Sequence, residues 1–233
     1  MPAPTYRKLS VIVPIFNERN TVVEIMRRMR AVELPIEREF VLVDDGSSDG
    51  TPQVLAQLGD STVRVVKHTA NQGKGAAIRT GLEHVTGDLV LIQDADLEYD
   101  PEDWPKLLAP MFRGKATVVY GSRFTGERRN MLFLHWMGNR VLSLVTNVLY
   151  NTTLSDMETC YKLFDRRVLE GITIRSDRFD FEPEITAKIL RKGVRIYEVP
   201  ISYTGREFHE GKKITWRDGF AALVALVKFR FVR

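Results

Sequence analysis

The sequence predicts an α/β fold in which a mostly parallel central sheet is flanked by helices. Three observations predict it. Short apolar segments rich in Val, Ile and Leu alternate with segments of helical periodicity as far as Tyr120. Three of the apolar segments end in acidic clusters, and no linker rich in Pro, Gly or Ser divides the chain. Alternating strands and helices form parallel sheets that bind ligands at the carboxyl ends of their strands.

The elements follow one another in a regular order. Strands are predicted at 9–15, 40–43, 64–67, 89–93, 117–120 and 194–201. Helices are predicted after residues 20 and 51, from 75 to 84, and over 134–150, 184–192 and 216–233. The polar clusters that follow the strands at 9–15, 40–43 and 89–93 are therefore expected to meet at one edge of the sheet.

Composition narrows the class of protein. With 233 residues, 44% of them hydrophobic, the chain can bury one sizeable core. A formal net charge of +4 suits a partner that carries phosphate. The single cysteine, Cys160, excludes an internal disulfide and a cysteine-based metal cluster. Because the sequence has neither a stretch long enough to cross a bilayer nor a secretion signal, we expect a cytoplasmic protein.

Two carboxylates at the end of one strand are typical ligands of a hard divalent cation. Asp94 and Asp96 stand one residue apart, directly after the apolar run 89–92. Mg²⁺ and Mn²⁺ prefer carboxylate oxygens and complete their coordination with water and substrate phosphates. The pair is therefore predicted to hold Mg²⁺ or Mn²⁺ next to a diphosphate.

Two further motifs follow strands near the same edge. Asp44 and Asp45 can form a turn, or they can accept hydrogen bonds from the imide or ribose hydroxyls of a nucleoside. Lys74 lies in a Gly-Lys-Gly turn that opens a helix. Its ammonium and the backbone amides of that turn are candidates for contacts with phosphate or base. The turn lacks the spacing of an ATPase phosphate-binding loop.

Five short motifs occur in a fixed order along the chain. They are VIVPIFNE at 11–18, VDDGSSDGT at 43–51, NQGKGAAI at 71–78, DADLE at 94–98 and GSRF at 121–124. Their order and spacing resemble those of family-2 glycosyltransferases over roughly residues 8–215. The resemblance is closest to the branch that contains dolichol-phosphate mannose synthase and polyprenyl-phosphate glycosyltransferases.

The resemblance implies a glycosyltransferase A fold with a Rossmann-like sheet, a nucleotide-sugar donor, a divalent metal and inversion at the anomeric carbon. From the chain length and the lack of a linker we expect one domain over 1–233, with a donor-binding half at about 8–125, an acceptor-side half at about 126–215 and an amphipathic helix at about 216–233. By motif, the donor contacts would be Pro14, Glu18, Asp44, Asp45, Lys74 and Asp94. The metal ligands would be Asp94, Asp96 and Glu98.

The chemistry of the acceptor decides which residues the reaction needs. A lipid phosphate is already ionised and needs positive charge to hold it, whereas a hydroxyl needs a carboxylate as general base. Arg123 matches an acceptor-phosphate contact of the family, and Arg140 on the next helix is a second candidate. Asp156 matches the Asp of the family's Ser-Asp segment and is the candidate base. An ion pair between Arg123 and Asp156 is the structural alternative.

A basic segment near the C-terminus resembles the family's loop that closes on the donor diphosphate. By this resemblance, Arg206 and Lys213 are donor contacts, and their positive charge would stabilise the leaving diphosphate.

Glu182 remains open between a structural role and acceptor binding. The catalytic candidates are Asp96, Arg123 and Asp156.

Two apolar helices suggest attachment to a membrane surface. Residues 132–150 and 220–232 carry apolar stripes that could face a core. The second also mixes Lys228 and Arg230 with Phe229 and Phe231, which favours an anionic lipid surface. We expect a peripheral protein on the inner face of a membrane, with no nucleic-acid partner.

The expected function is inverting, metal-dependent transfer of a sugar from a nucleotide diphosphate to a polyprenyl phosphate. The donor would be GDP-mannose, UDP-glucose or UDP-N-acetylglucosamine. One alternative is transfer to a hydroxyl of a glycan or small molecule with Asp156 as base. Another is a noncatalytic nucleotide-sugar binding module that regulates a membrane partner. The oligomeric state stays open.

Overall fold

The computed structural model describes residues 5–206 and 216–232. Within them, one sheet is formed by β1 (Lys8–Ile15), β2 (Glu37–Asp44), β3 (Val63–Lys67), β4 (Leu89–Ile92), β5 (Val118–Ser122), β6 (Lys162–Asp165) and β7 (Tyr197–Pro200). The order across the sheet is β3-β2-β1-β4-β6-β5-β7. Strand β1 pairs in parallel with β2 and β4, and β6 lies antiparallel between β4 and β5. The predicted mostly parallel sheet is confirmed.

Helices connect and cover these strands. They are α1 (Val22–Ala31), α2 (Thr51–Leu55), α3 (Lys74–Leu82), α4 (Trp104–Phe112), α5 (Phe133–Tyr150), α6 (Arg166–Leu169), α7 (Phe181–Arg191) and α8 (Trp216–Phe231). Neither α4 nor α6 was predicted. In α4, Pro105 stands in the first turn, where an amide hydrogen is not needed, and Pro110 lies inside the helix. Proline is therefore a poor guide to the end of this helix.

The central strands are buried on both faces, as their apolar sequences predict. In β1, Val11 and Val13 are wholly buried, and Leu42 of β2 and Leu91 of β4 lie in the same core. On α1 the buried residues follow helical spacing and face the sheet. Because the core fixes β1, β2 and β4 side by side in one direction, their carboxyl ends share one edge.

Helix α8 packs one of its faces against the rest of the protein. Ala225 and Phe229 are buried in a cluster with Ala187 of α7, against which Tyr150 of α5 also packs. The opposite side of α8 leaves Phe220 and Val227 exposed. Among the described residues no helix combines the length and apolar character needed to cross a bilayer.

Candidate active site

The acidic clusters that follow β1, β2 and β4 meet at one edge of the sheet. Asp44 ends β2, Glu18 follows β1, and Asp94 follows β4. Pro14 lies near the end of β1, in register with Val43. The predicted convergence is confirmed, and it is a direct consequence of the parallel pairing of these three neighbouring strands.

Left-handed backbone turns bend the chain around two of these carboxylates. Asn17 has φ 56° just before Glu18, and Leu97 has φ 66° between Asp96 and Glu98. Left-handed conformations are uncommon outside glycine, above all for a residue such as Leu, so the surrounding contacts must hold Leu97 in place. The turn at Leu97 lies between Asp96 and Glu98, and both of these carboxylates contact Arg206.

Arg206 joins the carboxylates of two strand ends. Its guanidinium lies 3.0 Å from Glu18 Oε1 and 3.1 Å from Asp96 Oδ2. Its backbone N–H donates to Glu98 Oε1 at 2.7 Å, and the Tyr203 hydroxyl donates to Glu98 Oε2 at 2.8 Å. Both Glu98 oxygens therefore hold the segment that leads to Arg206. Lys213, predicted with Arg206 as a donor contact, lies outside the described residues.

Asp96 lies in a strongly negative surrounding. Burial, together with the charges of Asp94 and Glu98, raises the pKa of Asp96 to about 7, against the opposing effect of Arg206. Carboxylates crowded in this way favour a cation among them. Within residues 5–206 and 216–232, no group of three or more His, Cys, Asp and Glu side chains is arranged to hold a metal ion.

Lys74 bridges the Asp-x-Asp motif to helix α7. Its ammonium lies 2.9 Å from Asp94 Oδ1 and 2.9 Å from Glu182 Oε1. Burial opposes this charge, but the neighbouring carboxylates outweigh it and raise the pKa of Lys74 well above its ordinary value. Lys74 is therefore a permanent cation between two acidic groups.

The glycines beside Lys74 allow close backbone packing. A Cβ at Gly73 would lie 2.3 Å from the Asp177 carbonyl oxygen, and one at Gly75 would lie 2.3 Å from that of Ser176. One amide of this turn already has a partner within the protein, because the Gly73 N–H donates to Asp45 Oδ2. Just after the turn, the N–H of Ala76 donates to the Asp177 carbonyl oxygen.

Asp44 and Asp45 differ sharply although they are adjacent. Asp45 Oδ1 accepts hydrogen bonds from His68 Nδ1 and the Gln72 N–H, and its Oδ2 accepts from Gly73. Asp44 Oδ1 accepts one bond from the backbone of Ser47. Its buried Oδ2 has no hydrogen-bond partner among the described residues. Asp45 thus shapes the loop before α3, and Asp44 keeps an acceptor for a ligand.

Arg123 and Asp156 form a buried ion pair. The guanidinium donates from Nε and from a terminal nitrogen to the two Asp156 oxygens, each at 2.7 Å. Arg123 is 8% exposed and Asp156 is fully buried. The structural alternative for Arg123 is therefore observed, and Asp156 is enclosed rather than open to an acceptor.

Three arginines surround the ring of Phe124. The guanidinium carbons of Arg123, Arg128 and Arg140 lie 5.9, 5.7 and 5.6 Å from the ring centroid. Arg128 and Arg140 are exposed. Arg140 belongs to α5, whose outer side exposes the large apolar residues Phe133, Leu134, Trp136, Met137, Val141, Leu144 and Val148. A basic cluster therefore adjoins an apolar surface.

Sequence reasoning missed or left open several residues of this region. His68 and Tyr203 carry no motif, and they contact the candidate residues Asp45 and Glu98. Glu182 was left open, although it binds Lys74 directly. The acidic run at 180–184 was the available signal, but nothing local indicates which of its carboxylates turns toward Lys74.

The fold and the family agree with this arrangement. The structure is similar to that of glucosyl-3-phosphoglycerate synthase from Mycobacterium tuberculosis, solved with Mn²⁺, UDP and phosphoglyceric acid, with TM-score 0.76, 18% identity and coverage of 97% of this chain and 80% of that one. It is also similar to mannosyl-3-phosphoglycerate synthase from Rubrobacter xylanophilus, with TM-score 0.73, 23% identity and coverage of 95% and 73%. These likenesses establish the glycosyltransferase A fold. The family model "Glycosyl transferase family 2" matches residues 10–173, and the chain belongs to that family.

Curated relatives confirm the similarity to polyprenyl-phosphate glycosyltransferases. Undecaprenyl-phosphate 4-deoxy-4-formamido-L-arabinose transferase from Enterobacter sp. (strain 638) is 31% identical over 213 residues, which are 88% of this chain and 62% of that protein. The protein of that name from Klebsiella pneumoniae is 30% identical over 217 residues, with coverage of 90% and 63%. The chain thus spans somewhat less than two thirds of the length of these relatives.

Proposed function

We propose that this protein transfers a sugar, with inversion and with Mg²⁺ or Mn²⁺, from a nucleotide diphosphate to a polyprenyl phosphate at a membrane surface. The observation that carries the proposal is the arginine cluster around Phe124 beside the exposed apolar side of α5. A lipid phosphate combines a doubly charged head with an apolar chain. The two surfaces match the two parts of that molecule.

The donor end of the proposed site lies at the edge formed by β1, β2 and β4. Asp44 offers a buried carboxylate oxygen to the nucleoside, and Arg206 offers positive charge to the diphosphate. Asp94 and Asp96 would hold the divalent cation, with Glu98 placing Arg206 beside them. Their acceptor-only oxygens and the raised pKa of Asp96 fit such an ion. When bound, it would neutralise charge on the departing diphosphate.

The acceptor end favours a phosphate over a hydroxyl. A hydroxyl acceptor would need Asp156 as base, yet this carboxylate is fully buried and both of its oxygens are bonded to Arg123. A phosphate needs no base, because it is ionised near neutral pH. Arg140 and Arg128 would hold it, and the Arg123–Asp156 pair would fix the cluster in place.

Attachment to the membrane is part of the proposal. Helices α5 and α8 pack together, and each exposes apolar residues on its outer side. Lys228 and Arg230 on α8 add positive charge next to Val227 and Phe231. Such a surface suits the interface of a membrane with anionic lipids. We propose that this membrane surface is the cytoplasmic face.

The proposal is tested by transfer of radiolabelled sugar into an organic extract. The purified chain is incubated with Mn²⁺, one of GDP-mannose, UDP-glucose and UDP-N-acetylglucosamine, and either undecaprenyl or dolichyl phosphate. We expect label in the lipid fraction for one donor and none with Asp96→Asn. The absence of label in the lipid fraction with all three donors would contradict the proposal.

A further inference from the structure

A group of buried and partly buried carboxylates lies between the donor end of the site and the acceptor end. Lys74 is bonded at once to Asp94, on the donor side, and to Glu182, at the start of α7. Glu158 follows Asp156, the partner of Arg123, by two residues. Burial and the charge of Glu182 raise the pKa of Glu158 to about 8.

These two carboxylates each keep an oxygen without a hydrogen bond. Glu182 is 4% exposed, and its Oε2 has no partner among the described residues. The same holds for the buried Glu158 Oε1, although the Glu158 side chain is partly exposed. A buried carboxyl oxygen that lacks a partner is costly. An ionised carboxylate accepts hydrogen bonds, and a protonated carboxyl also donates one, so either form can pair with a hydroxyl group. Both oxygens therefore call for a ligand that brings hydroxyl groups.

Glu184 shows that another buried carboxylate of α7 does have hydrogen-bond partners for its oxygens. It is fully buried, two residues from Glu182. Its carboxylate accepts from the backbone N–H groups of Arg175 and Ser176 and is bonded to Lys188. Glu184 is thus satisfied by the protein alone, whereas Glu182 uses one oxygen for Lys74 and leaves the other.

We propose that Glu158 and Glu182 bind hydroxyl groups of the transferred sugar and so help to select the donor; this rests on the proposed function. Only one ammonium separates Glu182 from Asp94, where the diphosphate would lie. Glu158 follows Asp156, the partner of Arg123 at the acceptor end, by two residues. The transferred sugar must lie between donor diphosphate and acceptor, and these carboxylates occupy that interval.

The proposal separates binding of the sugar from binding of the nucleotide. With Mn²⁺ present, calorimetry gives the Kd of wild type for UDP, GDP, UDP-glucose, UDP-N-acetylglucosamine and GDP-mannose. The sugar nucleotide that binds most tightly and its free nucleotide are then compared in Glu182→Gln and Glu158→Gln. We expect the Kd of the sugar nucleotide to rise roughly 10-fold, because a hydrogen bond from a sugar hydroxyl is lost, with the Kd of the free nucleotide within about twofold.

Glu184→Gln is the matched control, with the same substitution on the same helix. It should lower the melting temperature and leave the ratio of the two Kd values unchanged, and a changed ratio here would overturn the proposal. If Glu182→Gln does not fold, the partly exposed Glu158 carries the test. An unchanged ratio in the folded Glu variants overturns the sugar site alone. Wild type that binds nucleotides but none of the three sugar nucleotides overturns the proposed function, and the sugar site with it.

Discussion

Arg123 binds both oxygens of the Asp156 carboxylate through its side chain, and its backbone N–H donates a third hydrogen bond to the same carboxylate. The guanidinium also lies 5.3 Å from the ring centroid of Tyr203. The planar fork of an arginine matches a carboxylate in a way that a lysine ammonium does not. One residue thereby ties the end of β5 to the loop before β6 and anchors the arginine cluster.

The first prediction concerns Arg123→Lys and Arg123→Ala. The alanine variant leaves a buried carboxylate unpaired and should lose roughly 3–5 kcal/mol of stability, with a smaller loss for lysine. Among molecules that remain folded, acceptor kcat/KM should fall and donor KM should hardly change. Thermal melting and saturation kinetics with both substrates measure this, with the exposed Arg113→Lys as control. Normal acceptor kinetics alongside lower stability would make Arg123 purely structural.

The second prediction concerns Asp96→Asn. Loss of this carboxylate should abolish transfer and weaken binding of UDP or GDP only when Mn²⁺ is present, because the charge belongs to the proposed cation site. Titrations with and without Mn²⁺ provide the measurement. Asp100→Asn is the matched control, since Asp100 caps the turn at 101–103 and Asn preserves a cap. Full turnover by Asp96→Asn at saturating donor would rule out the metal assignment.

The third prediction concerns the outer side of α5. Leu144 is 61% exposed, so Leu144→Glu should leave the free energy of unfolding within about 0.5 kcal/mol of wild type. The same change should weaken attachment to vesicles that contain phosphatidylglycerol. Flotation at low and high salt measures it, because salt screens the basic residues but not the apolar contact. Val23→Glu on α1, also exposed, is the control. If both variants and wild type float equally, the outer side of α5 does not contribute to membrane attachment.

The fourth prediction is a pH dependence of stability at Glu39. Burial opposes its charge, but hydrogen bonds from Lys8, Ser10 and Thr86 outweigh burial and lower the pKa of Glu39 from 4.5 to about 2. A pKa lowered by folding adds stability that is present above pH 4.5 and is lost as the pH falls toward 2. Glu39→Gln should therefore cost of order 1 kcal/mol at pH 7, after allowance for partial exposure, and less at pH 3.

Urea unfolding of wild type and of Glu39→Gln at pH 7, 4.5 and 3 tests this prediction. The difference in unfolding free energy between wild type and Glu39→Gln should shrink as the pH falls. A difference that is the same at all three values would show that Glu39 contributes through packing and not through its charge.

Local patterns predicted the strand ends, and long-range contacts could not be predicted from them. Asp44 and Asp94 follow apolar runs, and the parallel rule brings such ends together. By contrast, the sequence does not indicate that Arg206 meets Asp96 or that Lys74 meets Glu182. Each of these cations could have paired with several nearby carboxylates, and only the packed chain selects one.

The direction of a strand was also beyond the sequence pattern. Strand β6 is buried like its neighbours, but it runs antiparallel between β4 and β5. Hydrophobic periodicity indicates which residues of a strand are buried, but it does not indicate whether the strand runs parallel or antiparallel to its neighbours. The reversal has a consequence for the site, because it places the loop with Asp156 and Glu158 immediately before β6, at the same edge as Asp94.

The fifth prediction separates the adjacent carboxylates Asp44 and Asp45. In Asp44→Asn the Ser47 bond can survive, while the buried oxygen that the protein leaves without a donor is changed. We expect melting close to wild type and a Kd for UDP or GDP raised roughly 10-fold, the effect of one hydrogen bond to a charged group.

Asp45→Asn should behave in the opposite way. The carboxylate accepts from His68, Gln72 and Gly73, and an amide would set an N–H donor against one of these donors. Its melting temperature should therefore fall, by the equivalent of about 1–3 kcal/mol. Nucleotide binding by Asp45→Asn should weaken only because the loop before α3 shifts. This loss of affinity should become smaller on cooling. If instead Asp45→Asn melts normally and loses nucleotide while Asp44→Asn binds it fully, Asp45 is the nucleoside contact, and the free oxygen of Asp44 serves another ligand.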